Sequence, residues 1–134
     1  MAIEIGLVGK LTFVVKESDT ARASGGEQLP AVLSTPRLIS MLEQTAHRAL
    51  VPYLEEGQGT VGTIVNIHHL AATPIGMETR TRVEVISVDG RRVNFKVEAW
   101  DEVDLIAEGE HERFIIDNNR FNDRLEKKRQ LLLK

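Results

Sequence analysis

Three ionisable side chains fall where the hydrophobic pattern calls for apolar ones, and a hydroxyl stands at the helix start beside them. Glu43 lies at the edge of an apolar helical stripe: at about 100° per residue it falls about 20° beyond Leu50. A carboxylate half-buried at a helix–sheet contact needs a donor to stay charged. A glutamate snorkelling to water fits the same position. His69 alternates with Val61, Val65 and Ile67, so it should point toward the helix, as a ligand-facing base or as a core histidine satisfied by backbone. Arg113 follows Leu105, Ala107 and Gly109 on one strand face, where an inward arginine demands a carboxylate or an anionic ligand. A strand-end arginine reaching solvent is the alternative. Thr35 precedes Pro36 and is explained by helix capping, yet its hydroxyl also sits where developing negative charge is stabilised. A hydroxyl, a carboxylate and an imidazole are the equipment of acyl transfer, provided the fold brings them together. His47 and His68 read as outward-facing, and the pattern leaves His111 undecided. No clustered carboxylate spacing suggests a metal site.

The elements that must position these groups follow from periodicity. Residues 7–17 contain Leu11-Thr-Phe-Val-Val and read as a strand. Residues 18–29, centred on Ser24-Gly25-Gly26, read as a mobile loop. Thr35-Pro36 opens a helix, with Thr35 as its cap and Pro36 in the first turn. Apolar residues at 38, 39, 42, 46, 49, 50 and 53 line its face, and Pro52 and Gly57 close it. From Thr60 the period changes to two, which places Val61, Thr63, Val65, Ile67 and His69 on one strand face and Gly62, Ile64, Asn66, His68 and Leu70 on the other. Thr73-Pro-Ile-Gly76 is a turn, residues 79–88 and 92–100 form a hairpin at Asp89-Gly90, and residues 105–116 form a last strand. A charged helical tail runs from about residue 121. One strand, one long helix and four strands in meander-like succession make an α+β domain in which the helix buries its stripe against the sheet. The sheet's edges need covering or pairing, which favours a dimer.

The chain has 134 residues, enough for one domain spanning 1–134 and one core. Seventeen Lys and Arg against twenty Asp and Glu leave a net charge of −3, which argues against a nucleic-acid binder held by phosphate contacts. With no cysteine there is no disulfide framework, no thiolate zinc site and no cysteine nucleophile. Met1-Ala-Ile-Glu-Ile-Gly lacks the basic start of a signal peptide, and no apolar run approaches the about 20 residues of a membrane span. A soluble, cytoplasmic protein without membrane partners is expected.

Several segments carry a family resemblance. Ser34-Thr35 through Leu42-Glu43, Leu50-Val-Pro-Tyr-Leu-Glu, Val61-Gly62-Thr63, His69 with Ala71-Ala-Thr-Pro, Asp89-Gly-Arg-Arg and Gly109-Glu-His-Glu-Arg113 resemble the fluoroacetyl-CoA thioesterase family. The pieces recur in order at matching separations from Thr35 to about Asn122. The resemblance implies a hotdog fold, a long helix wrapped by a curved antiparallel sheet of about five strands. It implies a homodimer with its pocket near the subunit interface, and hydrolysis of a short acyl-CoA thioester. No metal or bound cofactor is implied, since CoA is part of the substrate. Carried over by position, the catalytic residues are Thr35, Glu43 and His69, and the substrate-binding residues are Gly62 and Arg113. A non-catalytic acyl-CoA binding or sensing module on the same fold is the alternative, as is a purely structural dimer; the complete catalytic set favours the enzyme. One departure concerns selectivity. The fluoroacetate-specific enzyme has a longer lid bearing phenylalanine before its threonine, whereas Ala23-Ser-Gly-Gly-Glu-Gln-Leu-Pro-Ala-Val-Leu contains no aromatic residue.

Overall fold

The computed structural model describes residues 2–133. The chain runs β1 (Val8–Val14), α1 (Ala21–Gly25), α2 (Thr35–Leu50), β2 (Gln58–His69), β3 (Glu78–Asp89), β4 (Arg92–Trp100), β5 (Leu105–Asp117) and α3 (Asn118–Gln130). The strands form one antiparallel sheet in the order β1-β3-β4-β5-β2. Its inner face wraps α2, as expected. Leu38, Met41, Leu42, Thr45, Ala46 and Leu50 recur at helical spacing and are buried. They meet Val83 and Val85 of β3, Val93, Phe95, Val97 and Ala99 of β4, and Ala107 of β5 in one cluster. The β3–β4 hairpin turns at Gly90, whose φ of 60° suits the first central position of a primed turn. No described helix is long and apolar enough to cross a membrane.

Four expectations need correction. The strands after α2 are not a simple meander: β3, β4 and β5 are, but β2 lies at the far edge beside β5. The link from β2 to β3 runs past the start of α2, where Leu33 N–H donates to the Thr73 carbonyl (2.9 Å). The helix cap is Ser34, whose Oγ accepts from Arg37 N–H at 3.1 Å, so Thr35 is the first helical residue and its hydroxyl is free for other work. Residues 18–29 are not an unstructured loop. A 3₁₀ turn, Glu17–Asp19, leads into α1, which is capped by Thr20 and closed at Gly26 with φ 115°. An Asp19–Arg37 ion pair (2.8 Å) ties the turn to α2. Finally, α3 starts earlier than the expected tail, at Asn118, because the Asp117 carboxylate accepts from Asn119 and Arg120 N–H.

A fifth difference governs the site. The register between β2 and β5 shifts at a β-bulge between Gly62 and Ile64. Before it, Thr60 opposes Ile115 and Gly62 opposes Arg113; after it, Val65 opposes His111 and His69 opposes Ala107. Directly opposed residues share a face, so the bulge reverses the parity of the strand. Thr60 and Gly62 therefore join Val65, Ile67 and His69 on the helix-facing side, and Val61 is turned to the other.

Candidate active site

The first group of residues is assembled by the start of α2. Because Ser34 caps the helix, Thr35 Oγ1 can reach across to β2, where it lies 2.8 Å from His69 Nδ1. The hydroxyl serves either ring tautomer: it donates to a bare Nδ1, or accepts from a protonated one. The ring's other nitrogen, Nε2, is buried and meets no hydrogen-bond partner among the described residues. Burial lowers the His69 pKa from 6.5, and the Ala71 backbone leans the other way without completing a hydrogen bond. The ring is thus neutral near pH 7. A cavity of about 370 Å³ adjoins the pair, lined among others by Ala21, Val32, Leu70 and Ala72. It opens at a helix N-terminus, which favours developing negative charge.

The second group gathers over Gly62. Arg113 is nearly buried, and its guanidinium is held on every side. Nε donates to Thr60 Oγ1 (2.8 Å), Nη2 to the Thr60 carbonyl (3.2 Å), and Nη1 to both Glu43 Oε2 (3.3 Å) and His111 Nε2 (3.2 Å). Burial pulls the Arg113 pKa down and Glu43 pulls it up. A guanidinium remains charged throughout. Glu43 is 38% exposed in its side chain, so one end of its carboxylate is pinned while the rest faces solvent. A Cβ on Gly62 would collide with Glu43 Oε2 and press on His111 Cε1 and Arg113 Nη1 at 3.2 and 3.3 Å. The missing side chain at Gly62 is what lets the Glu43 carboxylate lie against the strand.

All five expected residues are therefore placed, but in two groups. Thr35 and His69 meet each other, and Glu43, Gly62 and Arg113 meet each other. Glu43 lies eight residues after Thr35, about 12 Å along the helix axis at 1.5 Å per residue. Within one protomer the carboxylate and the imidazole belong to separate clusters.

Three further residues escaped the sequence reading. His111, left undecided, is buried beneath Arg113. His47, read as outward, is half-buried with Nδ1 2.6 Å from Thr60 Oγ1. Thr60 joins His47 to Arg113, and its residue type carries no signal of that role. Gly62 inside a strand pattern was the available signal, since an isolated strand glycine marks a bulge or a close approach. His68 is exposed, as expected.

The buried histidines carry a consequence for stability. His47, His69 and His111 all have pKa values below 6.5, each chiefly through burial. The unfolded chain binds protons near 6.5 more readily than the fold does. The stability they contribute is present above that pH and is lost as the pH falls below it toward their folded values. The urea midpoint should accordingly be lower at about pH 5.5 than at about pH 7.5. An unchanged or higher midpoint in acid would show that these rings titrate freely in the fold.

Comparisons with known proteins give a consistent picture. The family model described as fluoroacetyl-CoA-specific thioesterase matches residues 15–119. The fluoroacetyl-CoA thioesterase of Streptantibioticus cattleyicolor is 40% identical over 101 residues, which are 75% of this chain and 73% of that one. A solved structure of a fluoroacetyl-CoA thioesterase superposes with a TM-score of 0.91 at 34% identity, covering 96% of this chain and 98% of the other. A variant of that enzyme in complex with acetyl-CoA superposes with a TM-score of 0.90 at 35% identity, covering 94% and 98%.

Proposed function

The chain belongs to the fluoroacetyl-CoA-specific thioesterase family, and from that premise we propose how its own residues divide the work. It has the hotdog fold and hydrolyses a small acyl-CoA thioester to the free acid and CoA. His69 polarises the thioester carbonyl or moves the proton, and Thr35 holds its ring. The Glu43 carboxylate either attacks the carbonyl or takes the proton from an attacking water. Arg113 aims Glu43. Gly62 leaves room for the acyl group and offers its backbone amide near the developing oxyanion. Water is the cosubstrate, and no metal or bound cofactor enters the scheme. The observation that supports this reading most is the His69 ring, oriented at one nitrogen by Thr35 and unpartnered at the other among the described residues, beside a cavity.

The separation of the two groups supports a homodimer with shared sites. β2 ends the sheet, and Ile64 and Val65 on it are 55% and 37% exposed. A second copy of β2 can pair with it antiparallel. With the two-fold axis through Asn66, Val65 stands opposite Ile67, and the extra residue of the bulge brings Gly62 of one protomer opposite His69 of the other. One protomer's Thr35–His69 pair then faces the partner's Glu43. Sedimentation at micromolar concentration should give about twice 15.0 kDa. A fully active monomer would sink the shared site.

Release of free CoA thiol tests the activity, and a panel of acyl groups tests its selectivity. The segment before Ser34 contributes Ala21, Val32 and Leu33 to the cavity and no aromatic ring. Such small side chains exclude water poorly, and a dry enclosure is what sharp recognition of a polarised C–F bond needs. Several acyl-CoAs should be hydrolysed, with only a modest preference for fluoroacetyl-CoA over acetyl-CoA. A ratio of specificity constants of about 10⁴, or about 5.5 kcal/mol, would refute the open-site reading. No thiol release from any member would leave the two non-catalytic readings, a binding module or a structural dimer.

A further inference from the structure

His111 has no part in the reaction as proposed, yet it is the most completely held of the ionisable rings. It lies on β5 two residues before Arg113, on the same face, and is 2% exposed. Nδ1 is 2.7 Å from the Ile64 carbonyl, and Nε2 is 3.2 Å from Arg113 Nη1. Its ring lies near-parallel to Phe95 of β4, with centroids 6.2 Å apart.

These two partners dictate its state. A carbonyl can only accept, so Nδ1 must carry the proton; a guanidinium can only donate, so Nε2 must offer a lone pair. The ring is therefore neutral and in one tautomer. The charged groups that act on it are Arg113 on its own strand, Glu43 from α2, and, from the opposite face of β5, Glu112, whose carboxylate accepts from Thr63 on β2. A proton added at Nε2 would remove the acceptor and set a cation against the Arg113 guanidinium.

We infer that His111 is a positioning residue: its Nε2 lone pair anchors Arg113 Nη1, and Arg113 thereby aims the carboxylate of Glu43. The inference rests on the thioesterase reading for its effect on turnover. The division of labour around the guanidinium explains why the ring is needed. Thr60 holds Nε and Nη2, whereas Nη1 is the nitrogen that bridges His111 and Glu43. Without the imidazole, Nη1 keeps only its 3.3 Å contact to a carboxylate whose side chain is itself 38% exposed. A buried guanidinium N–H without an acceptor is costly, and the side chain would turn to find another. The same ring grips the Ile64 carbonyl just past the bulge, so it also fixes the strand irregularity that brings Gly62 beneath Glu43. One imidazole thus sets the distance between the carboxylate and the Gly62 backbone beneath it.

The test is a double-mutant cycle read by thiol release from acetyl-CoA. His111→Phe keeps a ring of similar size against Phe95 and removes both nitrogens. It should lower kcat about tenfold or more with KM within about threefold, and should cost nothing further when Arg113 is already methionine. His111→Gln, which retains an acceptor for Nη1, should recover part of the loss. A parent-like kcat in His111→Phe, or the same factor lost again in the Arg113→Met background, overturns the proposal. Ring-nitrogen NMR of the unaltered protein gives a reading independent of activity and of variant folding. His111 should be neutral with its proton on Nδ1 at pH 7, and a charged ring or an Nε2–H tautomer overturns the proposal even if the variants do not fold. Absence of thiol release by the parent counts against the thioesterase reading alone, because the ring tautomer is still measured.

Discussion

Glu43→Gln should lower kcat by on the order of 10²-fold or more and leave the melting temperature close to the parent's. Glutamine has the same length and branching, and its amide oxygen still accepts from Arg113 Nη1, so the packing around Gly62 survives. What disappears is the negative charge, and with it the capacity to attack a carbonyl or to take a proton from water. The side chain is 38% exposed and anchors no core cluster, so a large fall in activity would not be a folding effect. His69→Ala should cost a comparable factor, because it removes the imidazole that Thr35 orients and whose Nε2 has no partner among the described residues. The double variant should be scarcely worse than the more damaging single one, since residues that act as a unit do not add. The parent's kcat in either Glu43→Gln or His69→Ala would strip the substituted residue of its role.

Gly62→Ala should be nearly as damaging for a different reason. The added methyl would occupy the place of Glu43 Oε2 and crowd both His111 and Arg113. Gly62 does not have a positive φ, so alanine meets no backbone strain there. The carboxylate is the flexible end of a half-exposed side chain, and it is the partner that gives way. The expected result is a folded protein, unchanged in melting temperature, whose carboxylate is displaced by about 1 Å and whose kcat falls about 10²-fold. An alanine variant with parental kcat would mean that Glu43 does its work from some other position. Comparing this variant with Glu43→Gln separates loss of the charge from loss of its place.

The elements were legible in the sequence because each carries its own period. The helix from Thr35 shows apolar residues at helical spacing, and the hairpin at Asp89-Gly90 announces itself by turn chemistry. The Thr35–His69 pair was reachable for the same reason, although the cap proved to be Ser34, and that shift is what frees the threonine hydroxyl. The guanidinium network was not legible. Strand parity can be read only by assuming an unbroken pleat, and the bulge beside Gly62 breaks it, which moved Thr60 and Gly62 to the inner face and Val61 away. Which strands are neighbours is likewise absent from a period of two. Nothing in β2 alone says that it pairs with β5, so nothing could bring Thr60 to Arg113; His111 shares a strand face with Arg113 by alternation, but only the fold shows that the ring is buried and bonded to it. The family resemblance supplied Gly62 and Arg113 as positions but not the histidine that holds them.

The open edge of β2 has a cost outside catalysis. Most exposed edges are blunted by lysine, proline or an inward charge. Gln58–His69 is a 12-residue strand, QGTVGTIVNIHH, with no lysine, arginine, aspartate, glutamate or proline anywhere along it. In the homodimer proposed above, β2 accepts its own copy, and gatekeepers along it would repel that copy. Whenever a protomer is alone, during synthesis or after dissociation, the chain displays a long, uncharged, β-branched template for indiscriminate strand addition. Substitutions that loosen the proposed pairing should therefore bring poor solubility together with loss of turnover, and safety from fibrillar association then depends on how briefly that edge stays bare.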